Sequence, residues 1–155
     1  MSTDAILSQF GSATGITITL GSLASGSARQ GTIVDNTGTK FPRVLLAASV
    51  KLGTSPTANT LVSLYLLRDD TGSGPIRTDG AGASDAAITV LNAQLIGTLR
   101  SGGSPSTGDV LSDVFAVDEP GPKWTVAALN GTGVALDATN GNHTIEFIGV
   151  NPQLQ

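Results

Sequence analysis

Apolar and polar residues alternate with period two over most of the chain, the pattern of strands that bury one face. From Ile16 to Leu20, the side chains of Ile16, Ile18 and Leu20 fall on one side and Thr17 and Thr19 on the other, and Gly21-Ser22 closes the run. This predicts a half-buried strand. A second strand is predicted at 31–34, ended by the turn signal Asp35-Asn36-Thr37-Gly38, and a longer one at 41–52 with Val44, Leu45, Leu46, Val50 and Leu52. These two are expected to pair antiparallel. Leu61–Leu67 reads as a central strand that stops at Arg68-Asp69-Asp70-Thr71-Gly72, and further strands are predicted at 87–91, 95–100 and 114–117. Pro120 and Pro122, which cannot donate to a ladder, separate these from a strand over Trp124–Leu129. Asn130-Gly131 follows it, and Asn140-Gly141 precedes a last strand over Thr144–Val150. Asn-Gly supplies the two positive-φ residues of a tight hairpin turn.

About eight or nine short strands with no room for crossover helices predict an all-β fold, an antiparallel β-sandwich, most simply a jelly roll. The one helix candidate is Thr3–Phe10, with Thr3 as its cap, Ile6, Leu7 and Phe10 on one face and Gly11 as its stop; the alternative reading is a frayed terminus. The expected organisation is a short N-terminal arm, residues 1–14, on a single β-sandwich domain, residues 15–155. The stretch 69–85, rich in Gly and Asp with Ile76 as its one large apolar residue, is predicted to be a surface loop.

Composition narrows the function. Gly, Ser and Thr make up roughly a third of the 155 residues, whereas 13 % are charged and 39 % hydrophobic, so the chain can bury a core but is poor in helix-forming surface residues. A net charge of −4 with scattered basic residues argues against neutralising nucleic-acid phosphates. Without Cys there is no disulfide framework and no thiolate metal site. Met1–Phe10 has neither a basic start nor an apolar run, and no segment reaches the ~18–20 apolar residues that span a bilayer. The expectation is a soluble, unexported protein that needs no cofactor and binds neither nucleic acid nor membrane.

Candidate chemistry is sparse. His143 is the single histidine, with Asp137 six residues before it, so any Ser-His-Asp constellation must run through it. No nucleophile-elbow pattern accompanies it, and the expectation is a histidine that donates to a backbone carbonyl or contacts a neighbouring chain, in a protein that is not an enzyme. Glu119 and Glu146, the two glutamates, read as a turn residue and a solvent-facing strand residue rather than as an acid pair. Asp69, Asp70, Asp79 and Asp85 could wrap a calcium ion, but they match no calcium-loop spacing and read as solvated. Asn130-Gly131-Thr132 and Asn142-His143-Thr144 fit the glycosylation pattern, which matters only in a secreted eukaryotic protein. One Trp (Trp124) and one Tyr (Tyr65) offer little surface for stacking sugars.

A resemblance carries further. Ser63-Leu64-Tyr65-Leu66-Leu67-Arg68-Asp69-Asp70, Arg77-Thr78-Asp79-Gly80, Ser84-Asp85 and Leu95-Ile96-Gly97-Thr98-Leu99, followed by Gly121-Pro122-Lys123-Trp124, Leu129-Asn130-Gly131-Thr132-Gly133, Ala135-Leu136-Asp137 and His143, resemble small virion structural proteins of tailed bacteriophages. The likeness covers residues 41 to 152 and transfers no functional residues. It implies a role by analogy: a jelly-roll decoration (cement) protein, made in the bacterial cytoplasm, that sits on the capsid as a homotrimer and bridges capsomers of the major capsid protein. The other implied role is a tail, baseplate or fibre component whose sandwich binds a host glycan. The segments least explained by a sandwich core, Ile6, Leu7 and Phe10 with Asp69, Asp70, Ile76, Arg77 and Asp79 of the long loop, are the expected contact residues.

Overall fold

The structure, a computed structural model, describes residues 6–69 and 76–154. Among the described residues, nine strands form two antiparallel sheets: β1 (Ile6–Gly15), β2 (Ala28–Gln30), β3 (Val34–Asp35), β4 (Arg43–Lys51), β5 (Leu61–Asp69), β6 (Gln94–Arg100), β7 (Val110–Asp118), β8 (Lys123–Asn130) and β9 (Thr144–Leu154). The first sheet runs β1-β9-β4-β7. The second runs β2-β8-β5-β6, with β3 continuing the β2 edge along β8. The predicted all-β antiparallel sandwich is what forms, and no α-helix occurs among the described residues.

The pairings nest. Leu61 faces Arg100, Arg43 faces Asp118, Val34 faces Trp124, Ala28 faces Leu129 and Ile6 faces Leu154, so the midpoint of every nested pair lies within about two residues of Gly80. The chain is therefore one long hairpin wound over itself, whose limbs pass alternately into the two sheets. At its centre Asp79 (φ 50°) and Gly80 (φ 93°) are both left-handed, and the Ala81 N–H donates to the Thr78 carbonyl at 2.9 Å. The effective hairpin turn is thus Asp79-Gly80, of the kind expected from Asn-Gly.

Strand alternation fills the interlayer space. Val44, Leu46, Ala48 and Val50 of β4, Val62, Leu64 and Leu66 of β5, Trp124, Val126 and Ala128 of β8, and Ile145 and Phe147 of β9 form one buried cluster. Trp124 meets Phe147 edge to face across the two sheets, with ring centroids 5.1 Å apart at 73°. Two further rings sit where a glycine clears the space: Phe115 over Gly97 and Phe41 over Gly149, each occupying the position a Cβ would take.

Several local expectations need correction. Residues 6–10 extend as part of β1 instead of forming the predicted helix, because β9 supplies a complete ladder from Gln153–Leu7 to Val150–Phe10; Thr3, its proposed cap, lies outside the described residues. The run 16–20 has the predicted burial, Ile16, Ile18 and Leu20 in and Thr17 and Thr19 out, but belongs to no ladder. It crosses between sheets, its Ile16 N–H donating to the Ile145 carbonyl and its Thr17 carbonyl accepting from Thr32. The strands predicted at 31–34 and 41–52 do not pair, since β3 and β4 lie in different sheets. The buried Asn36 holds the connection open, accepting from the Phe41 N–H (2.9 Å) and donating to the Phe41 and Gly121 carbonyls (3.1 Å each). Asn130-Gly131 makes no hairpin either: the buried Asn130 amide donates to the Leu23 and Val134 carbonyls and accepts from Thr132, which steers the chain from β8 to the other sheet. Asn140-Gly141 begins a short 3-10 helix, and residues 87–91 are irregular.

Placing a Cβ at Gly97 puts it inside the Phe115 ring. Gly97→Ala is expected to lose about 1–3 kcal/mol to overpacking, read as a drop of several degrees in the midpoint of thermal unfolding, with partial recovery in Gly97→Ala/Phe115→Leu.

Candidate interaction surface

Sheet β2-β8-β5-β6 has its outer face covered. Ile76 and Ala81 of the long loop are buried against Leu67 and Ala127, with Tyr65, Ile88 and Ala93 around them. The loop is therefore a lid with a small core of its own, which corrects its prediction as a wholly surface segment. Local charge replaces secondary structure in holding it. The Asp79 carboxylate accepts from the backbone N–H groups of Leu91 (2.8 Å), Asn92 (2.7 Å) and Ala93 (2.7 Å) and from the Asn92 amide (2.8 Å). Partial burial raises its pKa, but these four donors outweigh that and hold the group well below the usual carboxylate range. Asp85 accepts from the Ala24 N–H and pairs with Arg29, whose guanidinium also donates to the Thr19 and Gly21 carbonyls at 2.7 and 3.0 Å. This joins lid, crossover and β2 at one point.

Among the described residues, sheet β1-β9-β4-β7 has no such cover. Arg43, Leu45, Ala47, Ser49 and Lys51 alternate with the buried residues of β4 and face outward. Residues directly opposite in antiparallel strands share a face. Leu45 is flanked by Ile148 and Ala116, with Ala13 beyond Ile148; Ala47 is flanked by Glu146 and Val114. The result is a flat field of small and apolar side chains. Its charges are Glu146, Lys51 and the Arg43–Asp118 ion pair at one end. Beyond Val150, where β4 stops pairing, 6–9 and 151–154 continue as a two-stranded ribbon. Such a ribbon is marginal in water without support.

The expected contact residues separate on this surface. Phe10 (60 % exposed) and Leu7 (47 %) stand out on β1, with Phe10 opposite Val150 at the edge of the apolar field. Ile6 pairs through its backbone with Leu154, and its side chain lies outside the described residues, as does Asp70. Arg77 is exposed on the lid, whereas Ile76 is in the lid core, Asp69 is buried at the end of β5, and Asp79 is the internal clamp. Leu45, Ile148, Val114, Ile33 and Leu91 escaped notice as surface residues. The available signal was doubling of apolar character on both faces of one strand, as in Val44-Leu45-Leu46 and Phe147-Ile148.

The candidate chemical groups are occupied by structure. His143 is buried, its Nδ1 accepting from the Lys51 N–H (3.3 Å) and its Nε2 within 2.9 Å of the Asp137 carbonyl, so one neutral tautomer with the proton on Nε2 satisfies both. This is the backbone-bonded histidine expected. Asp79 and Asp85 spend their carboxylates on N–H donors, and among the described residues no three acidic, His or Cys side chains gather as metal ligands. Trp124 is fully buried, which removes it as a sugar-stacking platform; Trp124→Ala would test the core instead. No family model matches the chain, and no curated protein is similar to it.

Because the Asp79 carboxyl is depressed in the folded state, its stabilisation is present in full above the ordinary carboxylate range, near pH 3.9, and is lost as pH falls through the folded value. Asp79→Asn is expected to lower the unfolding midpoint at pH 7 and to speed hydrogen exchange at Leu91, Asn92 and Ala93. The gap between variant and wild type should be constant above about pH 5 and narrow steadily below pH 4.

Proposed function

We propose that this protein is a non-enzymatic structural protein of a tailed-bacteriophage virion, a decoration protein that binds the outside of the capsid shell and stabilises the head by bridging copies of the major capsid protein. The observation that carries this reading is the contrast between the two outer faces: one sheet is sealed by its own lid, while the other presents a flat field centred on Leu45, Ile148 and Ala116. An outward face of small and apolar side chains with few charges suits a protein that works by contact. The nested order β1-β9-β4-β7 over β2-β8-β5-β6 supports a jelly roll, the architecture the sequence resemblance implies. Self-association as a homotrimer belongs to the same reading, because symmetric copies multiply weak contacts with a symmetric shell. Recognition of a host glycan from a tail or fibre is less well supported, since Trp124 is buried and Tyr65 is half covered by the lid.

Purified protein added to isolated capsids lacking it is expected to co-sediment at a saturating, symmetric occupancy and to raise the temperature at which the shell ruptures. Leu45→Lys, checked for native circular dichroism, should weaken binding at least tenfold. Failure of the wild-type protein to bind capsids at tens of micromolar would overturn the proposal.

A further inference from the structure

The chain contains two Asn-Gly pairs, Asn130-Gly131 and Asn140-Gly141, and the fold treats them in opposite ways. Asn-Gly is open to attack by the chain on its own side chain, because glycine has no Cβ to hinder the approach of its nitrogen. At Asn130 the atoms that such a reaction needs are already committed. The side chain is fully buried. Its Nδ2 donates to the Leu23 and Val134 carbonyls, both at 2.8 Å, and its Oδ1 accepts from the Thr132 N–H (2.9 Å) and hydroxyl (2.7 Å). The Gly131 nitrogen, which would be the nucleophile, donates its hydrogen to the Leu61 carbonyl at 2.9 Å. The Asn130 backbone is held as well, its N–H donating to the Ser27 carbonyl (3.0 Å) and its carbonyl accepting from the Gly26 N–H (2.6 Å). Asn140, by contrast, is exposed, its Oδ1 accepts from the Leu20 and Gly21 N–H groups, and the space beside Gly141 is open.

The products of reaction at the two sites differ as much as the sites do. A carboxylate has no hydrogen to donate. At position 140 the two bonds are made by an acceptor, and a carboxylate oxygen accepts the same N–H groups at least as well. At position 130 the change turns a double donor into an acceptor and sets a negative oxygen against the Leu23 and Val134 carbonyls in a buried site. The isomeric product, isoaspartate, adds a main-chain atom at the end of β8 and displaces Gly131 from Leu61.

We propose that Asn130-Gly131 is a latent deamidation site, closed by the native fold and reactive when the chain opens, whose product cannot return to the native state. In the open chain the Gly131 nitrogen attacks Asn130 Cγ. A new C–N bond forms as the bond from Cγ to Nδ2 breaks, and the proton lost by the Gly131 nitrogen leaves with the amide as ammonia. Water then opens the resulting succinimide at either carbonyl, which gives aspartate or isoaspartate at position 130. Unfolding thereby becomes a one-way step, and the lifetime of the protein is set by how rarely this end of β8 opens. The inference is independent of the proposed function.

The test holds the full wild-type chain at mildly alkaline pH, in native buffer and in concentrated urea, and follows each asparagine by fragment mass spectrometry. Conversion at Asn130 is expected to be at least about a hundredfold slower in native buffer, because there it waits for opening. Urea samples are diluted at intervals and their folded and unfolded fractions separated by gel filtration, with the yield at zero time as reference. The folded fraction should carry Asn130, the fraction that fails to fold should carry aspartate or isoaspartate there, and the folded yield should fall in step with conversion. Made directly, Asn130→Asp should lack a native state by circular dichroism, whereas Asn140→Asp should unfold at a midpoint close to that of the wild type. Equal rates in the two buffers, no conversion in urea, modified chains in the folded fraction, a native Asn130→Asp, or equal loss in both variants would each overturn the proposal.

Discussion

Nested pairing around Asp79-Gly80 is the constraint on which the other features of this structure depend. Once β5 and β6 close around the central segment, β4 must meet β7, the β2/β3 edge must meet β8, and β1 must meet β9, so the ends of the described chain finish side by side. The same winding decides what is covered. Residues 76–93 fold back over the outer face of the sheet that β5 belongs to, and among the described residues no comparable length of chain covers the other sheet. Among the described residues, the sealed and the open sheet face are thus consequences of one topology.

With no disulfide possible, the connections between sheets are held by side-chain to backbone hydrogen bonds from short polar residues. Asn36, Asn130 and Asn140 each replace a missing ladder: Asn140, for example, accepts from the Leu20 and Gly21 N–H groups at 2.8 and 3.2 Å and so ends the first crossover. Asp79 and Asp85 do the same for the lid. Buried backbone groups must be paired somewhere, and a chain that changes sheet at nearly every connection has many that no strand can satisfy. The richness in Thr, Ser, Asn and Asp meets that need, and it explains why the acidic loop residues are poor candidates for a cation: their oxygens are already filled by N–H donors.

The candidate chemical groups of the sequence are engaged in holding the fold. Its one histidine is bonded on both ring nitrogens to the backbone, its tryptophan is sealed between the sheets against Phe147, and its clamped carboxylates stabilise loops. The outward field around Leu45 suits a broad, repeated contact, which is the surface the proposed role uses.

The sequence by itself determined the layers of this protein. Period-two alternation located β4, β5, β6, β7, β8 and β9, because inside and outside differ in solvent and so in residue type at every step. It also identified which of Ile16–Leu20 are buried, since that depends on alternation even where no ladder forms. Local rules failed where a distant strand competed with them: residues 6–10 have a helical spacing, yet β9 offers a full set of hydrogen bonds, and the Asn-Gly pairs have a hairpin code, yet both sit at changes of sheet. Of the exposed apolar residues, Leu7 and Phe10 were the ones singled out from sequence. Ile33, Leu45, Leu91 and Ile148 look like core residues in sequence, because hydrophobicity records that a side chain avoids water and not which neighbour covers it. Only the tertiary structure, by folding residues 76–93 over one of the two sheets, decided which of those apolar residues are covered and which stay exposed.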